Sequence, residues 1–487
     1  MNGPLRRAAI FVVSLFAILA MSATYLQAVA GPGYRDDPRN PRLVQWRTGR
    51  ERGTIVTRDA LVVALSDPDP VDPQVFRRTY PEGKTYSHIV GYTSVLFGTA
   101  GLEQVRGEDL VSDRGSTISG VLNAVLGGDP RARGLRLTLD ARLQEKAEEL
   151  LGQQRGAIVA VDPRTGEVLA AVSSPGFDPN GLVGPGAGPA GNELAEDPAQ
   201  PLLNRSIEDV YAPGSTFKII TAAAALESGL AGPSTQLDDP VDLELPGTAA
   251  TITNSDGRAC GSGGSVTLET AFVRSCNTIF GALGMAVGAE DLVETAEAFG
   301  YNEAVPFDLE VVPSRMPQAE ELVADGAALA QTAIGGRDVR STPMQMALTS
   351  AAVANEGRIM VPFVVGDVFL SDGTVESSTE PIIWRRAVSP ATAAVLADLM
   401  ERVVISGTGT RAAVPGVRVA GKTGTARVTG ASPHVWFTGF APVNAAPDEA
   451  QIAIAVLIES GGDIGESATG GSVAAPIAAA LFEEYLR

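Results

Sequence analysis

The sequence predicts an α+β fold, in which helices pack on an antiparallel sheet, preceded by a small N-terminal domain and one transmembrane helix. Residues 156–174 alternate in hydrophobicity around a central turn, which is typical of a β-hairpin. Apolar, β-rich runs at 435–440 and 452–458 supply further strands. Segment 215–228 is apolar almost all round, as expected of a helix at the centre of a domain.

The predicted transmembrane helix is the run 8–26, which contains 19 residues and no charge. At about 1.5 Å per residue this run is long enough to cross a bilayer. Arg6 and Arg7 precede it and predict a short cytoplasmic tail at 1–7 with an exported body. Ala28-Val29-Ala30 also fits a signal-peptide cleavage site, so a retained anchor at 8–30 and a cleaved signal peptide both stay open.

Residues 31–135 form the predicted N-terminal domain. They are rich in arginine and aspartate and poorly periodic, with short strand-like runs at 54–56 and 60–65. A stretch rich in glycine, proline and arginine at 127–134 predicts a linker. The second domain is therefore placed at 136–487.

The second domain opens with a predicted strand at 137–140, whose last residue is a helix N-cap, and an amphipathic helix at 141–151. Residues 175–203 are rich in glycine, proline and alanine and predict a long surface loop or a flexible flap. A strand at 417–420 and a closing helix at 473–486 complete the prediction.

Charge and composition exclude several classes of function. The formal net charge of −20 argues against binding to nucleic acid, because phosphate contacts require basic clusters. With two histidines and two cysteines in the chain, a cysteine and histidine zinc site or a Ser-His-Asp triad is a poor candidate. A carboxylate-rich metal site stays open on composition alone, but we expect neither a metal nor a cofactor.

Lysine is rare in this chain, which has four lysines and 33 arginines. Two of the four, Lys218 and Lys422, stand in short motifs. Unlike arginine, a buried lysine can give up its proton, so these positions are candidates for acid–base chemistry. Ser215 lies one helical turn before Lys218 and would be a nucleophile beside a base. Taken alone, the pair is better explained as an ordinary serine N-cap followed by a helix lysine.

Cys260 and Cys276 are the two cysteines. Outside the cytoplasm a disulfide is favoured between them, and it would stabilise the fold by about 3 kcal/mol in the chain-entropy model. Two buried thiols are the alternative.

Three motifs follow one another along the chain: Ser215-x-x-Lys218, Ser275-Cys276-Asn277 and Lys422-Thr423-Gly424. Each is weak alone, but their order resembles the signature of penicillin-binding proteins and serine β-lactamases. The separations of 60 residues from Ser215 to Ser275 and 147 from Ser275 to Lys422 resemble the penicillin-binding proteins.

The resemblance extends over nearly the whole chain. The segments that carry it in the second domain are Asn204-Arg205, 211–218, 328–347 and 436–442. Asn40-Pro41-Arg42, Arg52-Gly53 and 98–103 resemble the pedestal domain of class B members, most like their short actinobacterial type. This resemblance implies a transpeptidase domain at 136–487, with helices on both faces of its sheet, and a dimerisation-type pedestal at 31–135.

The resemblance also implies a role for each motif residue. Ser215 would attack a peptidoglycan stem peptide that ends in D-Ala-D-Ala, with Lys218 as the base. Ser275 would relay a proton to the leaving amine, and Asn277 would hold Lys218 and the substrate amide. Lys422 would supply positive potential.

The remaining site residues belong to the third motif. Thr423, Gly424 and Thr425 would bind the substrate, with both hydroxyl groups on its terminal carboxylate. The backbone N–H groups of Ser215 and Thr425 would form the oxyanion hole.

By resemblance, the protein is a single-pass membrane protein with its catalytic domain outside the cytoplasm, serving division or growth. β-Lactams would inhibit it, and a membrane glycan polymerase and other wall-assembly proteins would be its partners. Two alternatives stay open: a hydrolase on the same fold, either carboxypeptidase or β-lactamase, and a wall-assembly scaffold without catalysis.

Overall fold

A computed structural model of the chain describes residues 2–26, 50–68, 76–111, 132–184, 186–428, 430–446 and 448–487. The predicted cleavage site at 28–30, the match at 40–42 and most of the predicted linker at 127–134 lie outside the described residues.

The helices of the described part are numbered in chain order. They are α1 (Asn2–Tyr25), α2 (Ser87–Val90), α3 (Gly101–Val105), α4 (Gly107–Leu110), α5 (Ala141–Leu151), α6 (Ala187–Glu196), α7 (Lys218–Glu227), α8 (Leu268–Arg274), α9 (Asn277–Val287), α10 (Ala289–Ala298), α11 (Ala319–Ala324), α12 (Gly326–Ala333), α13 (Pro343–Ala354), α14 (Pro390–Ser406) and α15 (Ala475–Leu486).

The strands are numbered in the same way. They are β1 (Ile55–Val56), β2 (Val62–Pro68), β3 (Phe76–Thr79), β4 (Thr93–Ser94), β5 (Gly98–Thr99), β6 (Gly134–Leu137), β7 (Gly156–Val161), β8 (Val168–Ser174), β9 (Gln236–Asp238), β10 (Asp242–Glu244), β11 (Thr251–Thr253), β12 (Ser265–Thr267), β13 (Arg358–Met360), β14 (Val365–Phe369), β15 (Val375–Ser378), β16 (Ile383–Arg386), β17 (Ala420–Val428), β18 (Ala431–Ala441) and β19 (Ile452–Ile458).

Helix α1 covers most of the charge-free run at 8–26. Its large apolar side chains are exposed, as at Phe11 (67%) and Phe16 (69%). Within the described part of the chain, the structure contains no helix that is both long enough and apolar enough to cross a membrane.

The N-terminal region is built on a sheet with the order β15-β14-β6-β1-β2-β3. Strands β1 and β2 correspond to the runs predicted at 54–56 and 60–65. Strand β1 is parallel to β6, and β6 pairs antiparallel with β14. Two strands from the second half of the chain therefore complete this sheet, and β6 spans the boundary predicted between 135 and 136.

A buried ion cluster joins three segments of the N-terminal region. Glu103, on α3, accepts hydrogen bonds from Arg52 Nε at 2.7 Å and from Arg78 Nε at 2.6 Å. The three side chains are 1% exposed or less. Burial alone would raise the pKa of Glu103, but the two guanidinium groups outweigh it and hold this pKa below its usual value. We call Arg52, Arg78 and Glu103 the arginine cluster.

The second region is built on an antiparallel sheet with the order β17-β18-β19-β7-β8. Strands β7 and β8 form the predicted hairpin at 156–174. The turn between them is closed by a hydrogen bond from Gly166 N to Asp162 O at 2.9 Å. Strand β19 matches the run predicted at 452–458, and α5 follows an N-cap at Asp140, as predicted.

Both faces of this sheet are covered by helices, as the resemblance implied. Ile158 and Ala160 on β7 share a core with α5 and α15. Val159 and Val161, which point to the opposite face, share a core with α7 and α13. Because β7 is buried on both faces, it is apolar throughout.

Three predictions about local structure need correction. The strand predicted at 137–140 is β6 at Gly134–Leu137, so the two share only Leu137. Residues 175–203 are not a structureless loop, because they contain α6, and the ring of Phe97 occupies the space that a side chain at Gly191 would need. The strand predicted at 417–420 begins only at Ala420 and continues to Val428, because its pairing with β18 runs through the glycine-rich segment that follows.

Candidate active site

Ser215 lies in a tight turn and not at the N-cap of a long helix. Residues Gly214–Phe217 form a 3₁₀ turn that leads directly into α7. Gly214 has φ +53°, a conformation that favours glycine, and its N–H donates to Gly335 O at 3.0 Å. A side chain at Gly214 would meet Thr425 O at 3.0 Å. The turn therefore holds Ser215 close against β17.

Lys218 is fully buried below this turn. Its Nζ donates to Ser275 O at 2.8 Å and to Asn277 Oδ1 at 2.7 Å. A neutral amine has two N–H bonds, which these two acceptors can satisfy while a lone pair stays free. Among the described residues, no hydrogen bond joins Ser215 Oγ to Lys218 Nζ. In free enzymes such catalytic contacts often shorten only when substrate is bound.

Ser275 lies between the two motif lysines. Its Oγ is 2.8 Å from Lys422 Nζ and 3.4 Å from Lys218 Nζ. Ser275 follows α8 in the left-handed conformation, with φ +62°, an uncommon conformation for a serine. The sharp turn between α8 and α9 thus directs this hydroxyl group towards both amines.

Asn277 is held from both sides. Its side-chain amide donates to Thr253 O at 3.0 Å while its Oδ1 accepts from Lys218. Asn254 Oδ1 accepts from the backbone N–H of Asn277 at 2.7 Å and of Thr278 at 3.3 Å, which satisfies two free donors at the start of α9. Asn254 was not among the residues predicted from the sequence. Its signal would have been the turn sequence Asn-Ser-Asp-Gly at 254–257.

Lys422, Thr423, Gly424 and Thr425 lie on β17, which forms one edge of the sheet. Thr423 shares a hydrogen bond with Thr408 at 2.6 Å, and Thr425 Oγ1 accepts from Gly470 N at 3.3 Å. A side chain at Gly424 would come within 2.7 Å of Pro213 O. Gly424 is thus required for packing against the Ser215 turn, and its role in substrate binding stays a prediction.

Cys260 and Cys276 form a disulfide, as predicted, with their Cα atoms 5.7 Å apart. Asp239 anchors the first of these cysteines, since its Oδ1 accepts from Cys260 N at 2.6 Å. The bond therefore ties the middle residue of the Ser-x-Asn motif to the loop that precedes β12.

The electrostatics of the two lysines differ from those of the arginine cluster. Burial lowers the pKa of Lys422 to about 7. Burial, and then the charge of Lys422, hold the pKa of Lys218 well below its usual value. Both side chains are fully buried, with Nζ 5.5 Å from the ring centre of Phe280 for Lys218 and 5.7 Å from that of Phe272 for Lys422. A neutral amine is thus available near neutral pH. We call Lys218 and Lys422 the lysine pair.

A polar network supports the segment before Ser215. Glu459 Oε1 accepts from Tyr211 OH at 2.8 Å and from Arg205 Nε at 2.7 Å, and its Oε2 lies 3.0 Å from Arg155 Nε. Trp436 Nε1 donates to Ala212 O at 3.0 Å. Glu459 was not among the residues predicted from the sequence. Its signal would have been a carboxylate directly after the wholly apolar strand β19.

These residues surround one cleft of about 1170 Å³. Ser215, Ser275, Asn277, Thr423 and Thr425 line it. The lysine pair lies beneath its floor. The cleft thus contains a partly exposed hydroxyl group, a second hydroxyl group between two amines of lowered pKa, and a strand edge. This arrangement suits covalent catalysis on a peptide that pairs with β17.

Comparison with known proteins gives matches to both regions. Residues 156–483 match the penicillin binding protein transpeptidase domain, and residues 52–134 match the penicillin binding protein A dimerisation domain. The chain is 39% identical to the peptidoglycan D,D-transpeptidase PbpA of Mycolicibacterium smegmatis and 38% identical to that of Mycobacterium tuberculosis. Each match covers 100% of this chain and 99% of the relative.

Among solved structures, the ceftriaxone acyl-enzyme complex of penicillin-binding protein A from M. tuberculosis superposes with a TM-score of 0.83 at 37% identity. This match covers 91% of the present chain and 100% of that structure. The same relative has also been solved as an imipenem acyl-enzyme, with a TM-score of 0.82.

Proposed function

Because the chain belongs to the class B penicillin-binding protein transpeptidases, we propose that it is a serine-type peptidoglycan D,D-transpeptidase. The family predicted from the three motifs is thereby confirmed. One observation carries the proposed chemistry: the half-buried Ser215 lies above two buried amines whose pKa values are lowered and which share the hydroxyl group of Ser275.

In the first half of the reaction, Ser215 Oγ attacks the penultimate carbonyl carbon of a stem peptide ending in D-Ala-D-Ala. The hydroxyl proton passes to the neutral amine of Lys218. The backbone N–H groups of Ser215 and Thr425 stabilise the oxyanion, and each such donor contributes about 3 kcal/mol in related chemistry. Collapse of the intermediate breaks the amide bond, and the departing amine of D-Ala takes a proton through Ser275.

In the second half, an amine of a neighbouring stem peptide attacks the acyl-enzyme. Its proton returns through the same groups, the ester bond to Ser215 breaks, and the cross-link forms. Two easier steps replace one difficult step, which is the benefit of covalent catalysis. Asn277 holds Lys218 in place during both steps, and burial, followed by the charge of Lys422, keeps the pKa of Lys218 low.

The hydroxyl groups of Thr423 and Thr425 bind the terminal carboxylate of the donor, and Lys422 below them supplies positive potential. The substrate backbone adds to the edge of β17. β-Lactams mimic the donor peptide and acylate Ser215. Penicillin-binding protein A from M. tuberculosis forms such acyl-enzymes with ceftriaxone and imipenem.

The test is labelling of the purified protein with a fluorescent penicillin. The expected result is a stable adduct in the wild type and none in Ser215→Ala. The lifetime of the adduct separates transpeptidase from hydrolase: hours support this proposal, whereas turnover within seconds would make the protein a β-lactamase. Absence of labelling in a folded wild type would instead favour a scaffold without catalysis.

We also propose that the enzyme works outside the cytoplasm, attached to the membrane by the charge-free run at 8–26, with a membrane glycan polymerase as partner of its N-terminal region. The support is in the sequence, since Arg6 and Arg7 flank that run. Fractionation of cells expressing the full chain and a chain starting at residue 31 tests this. Equal recovery of both from the membrane fraction would refute the anchor.

A further inference from the structure

A second cavity of the transpeptidase domain is separate from the catalytic cleft. Its volume is about 630 Å³, within the range of about 300–1,000 Å³ that is usual for small-ligand sites. The end of α13, strand β13, the start of α14 and the turn between β18 and β19 border it. None of the described residues lines both this cavity and the cleft at Ser215. We call it the α14 cavity.

The inner surface of the α14 cavity is apolar. Five buried apolar side chains line it, each 9% exposed or less: Val353, Met360, Ala393, Ala397 and Phe440. Ala393 and Ala397 lie one helical turn apart on α14, and their small side chains leave room for an apolar group of a ligand. Ile383 also lines the cavity but is 54% exposed, so the apolar surface continues outside it.

Two buried side-chain amides each present a free hydrogen-bonding group to this cavity. Gln451 is 3% exposed, and its Nε2 donates to Pro442 O at 2.9 Å, whereas its Oε1 accepts from none of the described residues. Asn355 is 7% exposed, and its Oδ1 accepts from Arg358 Nη2 at 3.4 Å, whereas its Nδ2 donates to none of them. These contacts orient both amides, so the cavity offers one acceptor and one donor. Because buried polar groups are normally paired, the two free groups point to a ligand.

The charged side chains that line the cavity are engaged by the protein itself. Arg164 donates to Glu449 O at 3.0 Å and to Ala445 O at 3.2 Å. Arg358 forms an ion pair with Glu356 at 2.9 Å. Among the described lining residues, these two arginines and Glu356 are the charged ones. The cavity therefore has no free charge that would select a charged ligand.

We propose that the α14 cavity binds an uncharged amide that carries an apolar group. The N–H of the ligand donates to Gln451 Oε1, its C=O accepts from Asn355 Nδ2, and its apolar group packs on the alanines of α14. An apolar residue within a peptide chain has this chemistry. Because the apolar surface continues over Ile383, the ligand extends beyond the cavity, and we assign it to a peptide segment of another protein. This site is independent of the acyl transfer proposed above.

The test places a single reactive thiol in the cavity. Ala394 is exposed and lines the cavity, and the two native cysteines are bonded to each other, so Ala394→Cys supplies the one free thiol of the chain. The rate at which a neutral methanethiosulfonate reagent modifies this thiol is measured in the full-length protein. N-acetyl-leucinamide is expected to slow the modification, with half of the effect at a millimolar concentration, since so small a ligand gains little free energy. N-acetylglycinamide, which lacks the apolar group, is expected to need an about tenfold higher concentration.

Loss of either free amide group should weaken this protection. In the Ala394→Cys protein, Gln451→Met removes the free oxygen and keeps a side chain of similar volume. The half-protecting concentration of N-acetyl-leucinamide is expected to rise about tenfold. Asn355→Asp replaces the free donor by an acceptor, keeps an oxygen for Arg358 and should raise this concentration at least as much. A cooperative thermal transition shows which variants are folded, and Asn355→Asp decides if Gln451→Met is not.

Ala324→Cys is the matched control. Ala324 is exposed at the end of α11 and lines neither the α14 cavity nor the cleft, so N-acetyl-leucinamide should not change the modification of this thiol. A capped tripeptide with leucine at its centre tests the source of the ligand. Protection at an about tenfold lower concentration than N-acetyl-leucinamide supports a peptide segment. Protection at the same concentration would refute the segment and assign the site to a small free amide.

Three results would overturn the site itself. They are no protection of the thiol at Ala394→Cys, equal protection of the thiols at Ala394→Cys and Ala324→Cys, and protection that both folded amide variants keep unchanged. Labelling with fluorescent penicillin is measured on the same proteins. Stable labelling beside a failed protection experiment refutes only the amide site, whereas a folded wild type that is not labelled refutes the proposed transpeptidase.

Discussion

The arginine cluster in the N-terminal region and the lysine pair under the cleft each bury two basic side chains. In the arginine cluster a carboxylate, Glu103, lies between the two guanidinium groups and stays charged. Beside the lysine pair, the acceptors are a hydroxyl group, an amide oxygen and backbone carbonyl groups. Arginine cannot shed its charge, so its burial requires an acid, whereas lysine can become neutral.

The difference separates a structural from a catalytic use of buried cations. An ion cluster neutralised by an acid holds segments together and has no proton to exchange near neutral pH. Two buried amines without an acid lose proton affinity, chiefly because burial disfavours their charged forms, and leave a base. Four predictions, in order of expected effect, test whether this distinction holds.

Replacing Lys218 by methionine removes the base and keeps an apolar side chain of similar volume. Acylation by fluorescent penicillin is expected to slow by about 10³-fold, within the range of general-base catalysis. The thermal midpoint should not fall, because a buried polar amine is replaced by an apolar group. Stopped-flow labelling measures the rate.

Lys146→Met, at a half-buried lysine of α5 outside the cleft, is the control and should acylate at the wild-type rate. A Lys218→Met protein that still acylates rapidly would show that the base lies elsewhere and that the lysine pair is structural.

Replacing Glu103 by glutamine leaves two buried guanidinium groups without a counter-charge. The expected loss is about 3–5 kcal/mol in the free energy of unfolding of the N-terminal region. Denaturant titration with a probe in that region measures it, and acylation of the folded protein should not change.

Glu269→Gln breaks an exposed ion pair with Arg402 and should cost less than about 1 kcal/mol. Equal stability of the Glu103 and Glu269 variants would contradict the structural role of the arginine cluster.

Replacing Cys260 and Cys276 by alanine removes the bond that ties the Ser-x-Asn motif to the preceding loop. The free energy of unfolding should fall by about 3 kcal/mol in the chain-entropy model. Acylation should slow, but far less than in Lys218→Met, because the lysine pair itself is retained. Reducing agent should slow acylation of the wild type and leave acylation of the double variant unchanged. If reducing agent slows both proteins alike, the effect does not come from this disulfide.

The two clusters should also respond to pH, in the same direction but in different pH windows. The pKa of Lys422 is lowered to about 7 from 10.5, so the unfolded chain holds a proton that the folded chain lacks between these values. Its contribution to stability therefore rises with pH over that window. The pKa of Glu103 is lowered, so the stability that it confers is present above its usual pKa of 4.5 and is lost as pH falls through its folded pKa.

The thermal midpoint is measured across pH for the wild type, Lys422→Met and Glu103→Gln. The difference between the wild type and each variant gives the contribution of that residue to stability at each pH. A flat difference curve for Lys422→Met between pH 7 and the usual lysine pKa would mean that Lys422 is not buried as a weakened base.

Much of the site could be predicted because its functional residues belong to short sequence motifs. The motifs predicted one site, and the structure brings Lys218 and Lys422 to the hydroxyl group of Ser275, with Asn277 accepting from Lys218. The catalytic roles of these residues stay predictions. Strand β19 was predictable because a strand buried on both faces is apolar at every position.

Other features depend on residues that are distant in the chain and leave no local pattern. The turn at Ser215 looked like the start of a helix, since the close approach of Gly214 to Thr425 and Gly335 cannot be seen in its own sequence. Glu459 and Asn254 act on segments more than 20 residues away. Helix α6 was missed because its alanines and glycines resemble a loop until Phe97 packs on them.

The pairing of β14 with β6 has a practical consequence for dissecting this protein. A fragment cut at residue 135 would end inside β6 and would lose β14 and β15. The strand edge left behind would have unpaired backbone groups, which favour self-association. Chimaeras that exchange the N-terminal module between relatives should therefore transplant residues 365–378 along with it, because the module is assembled from two separated stretches of the gene product.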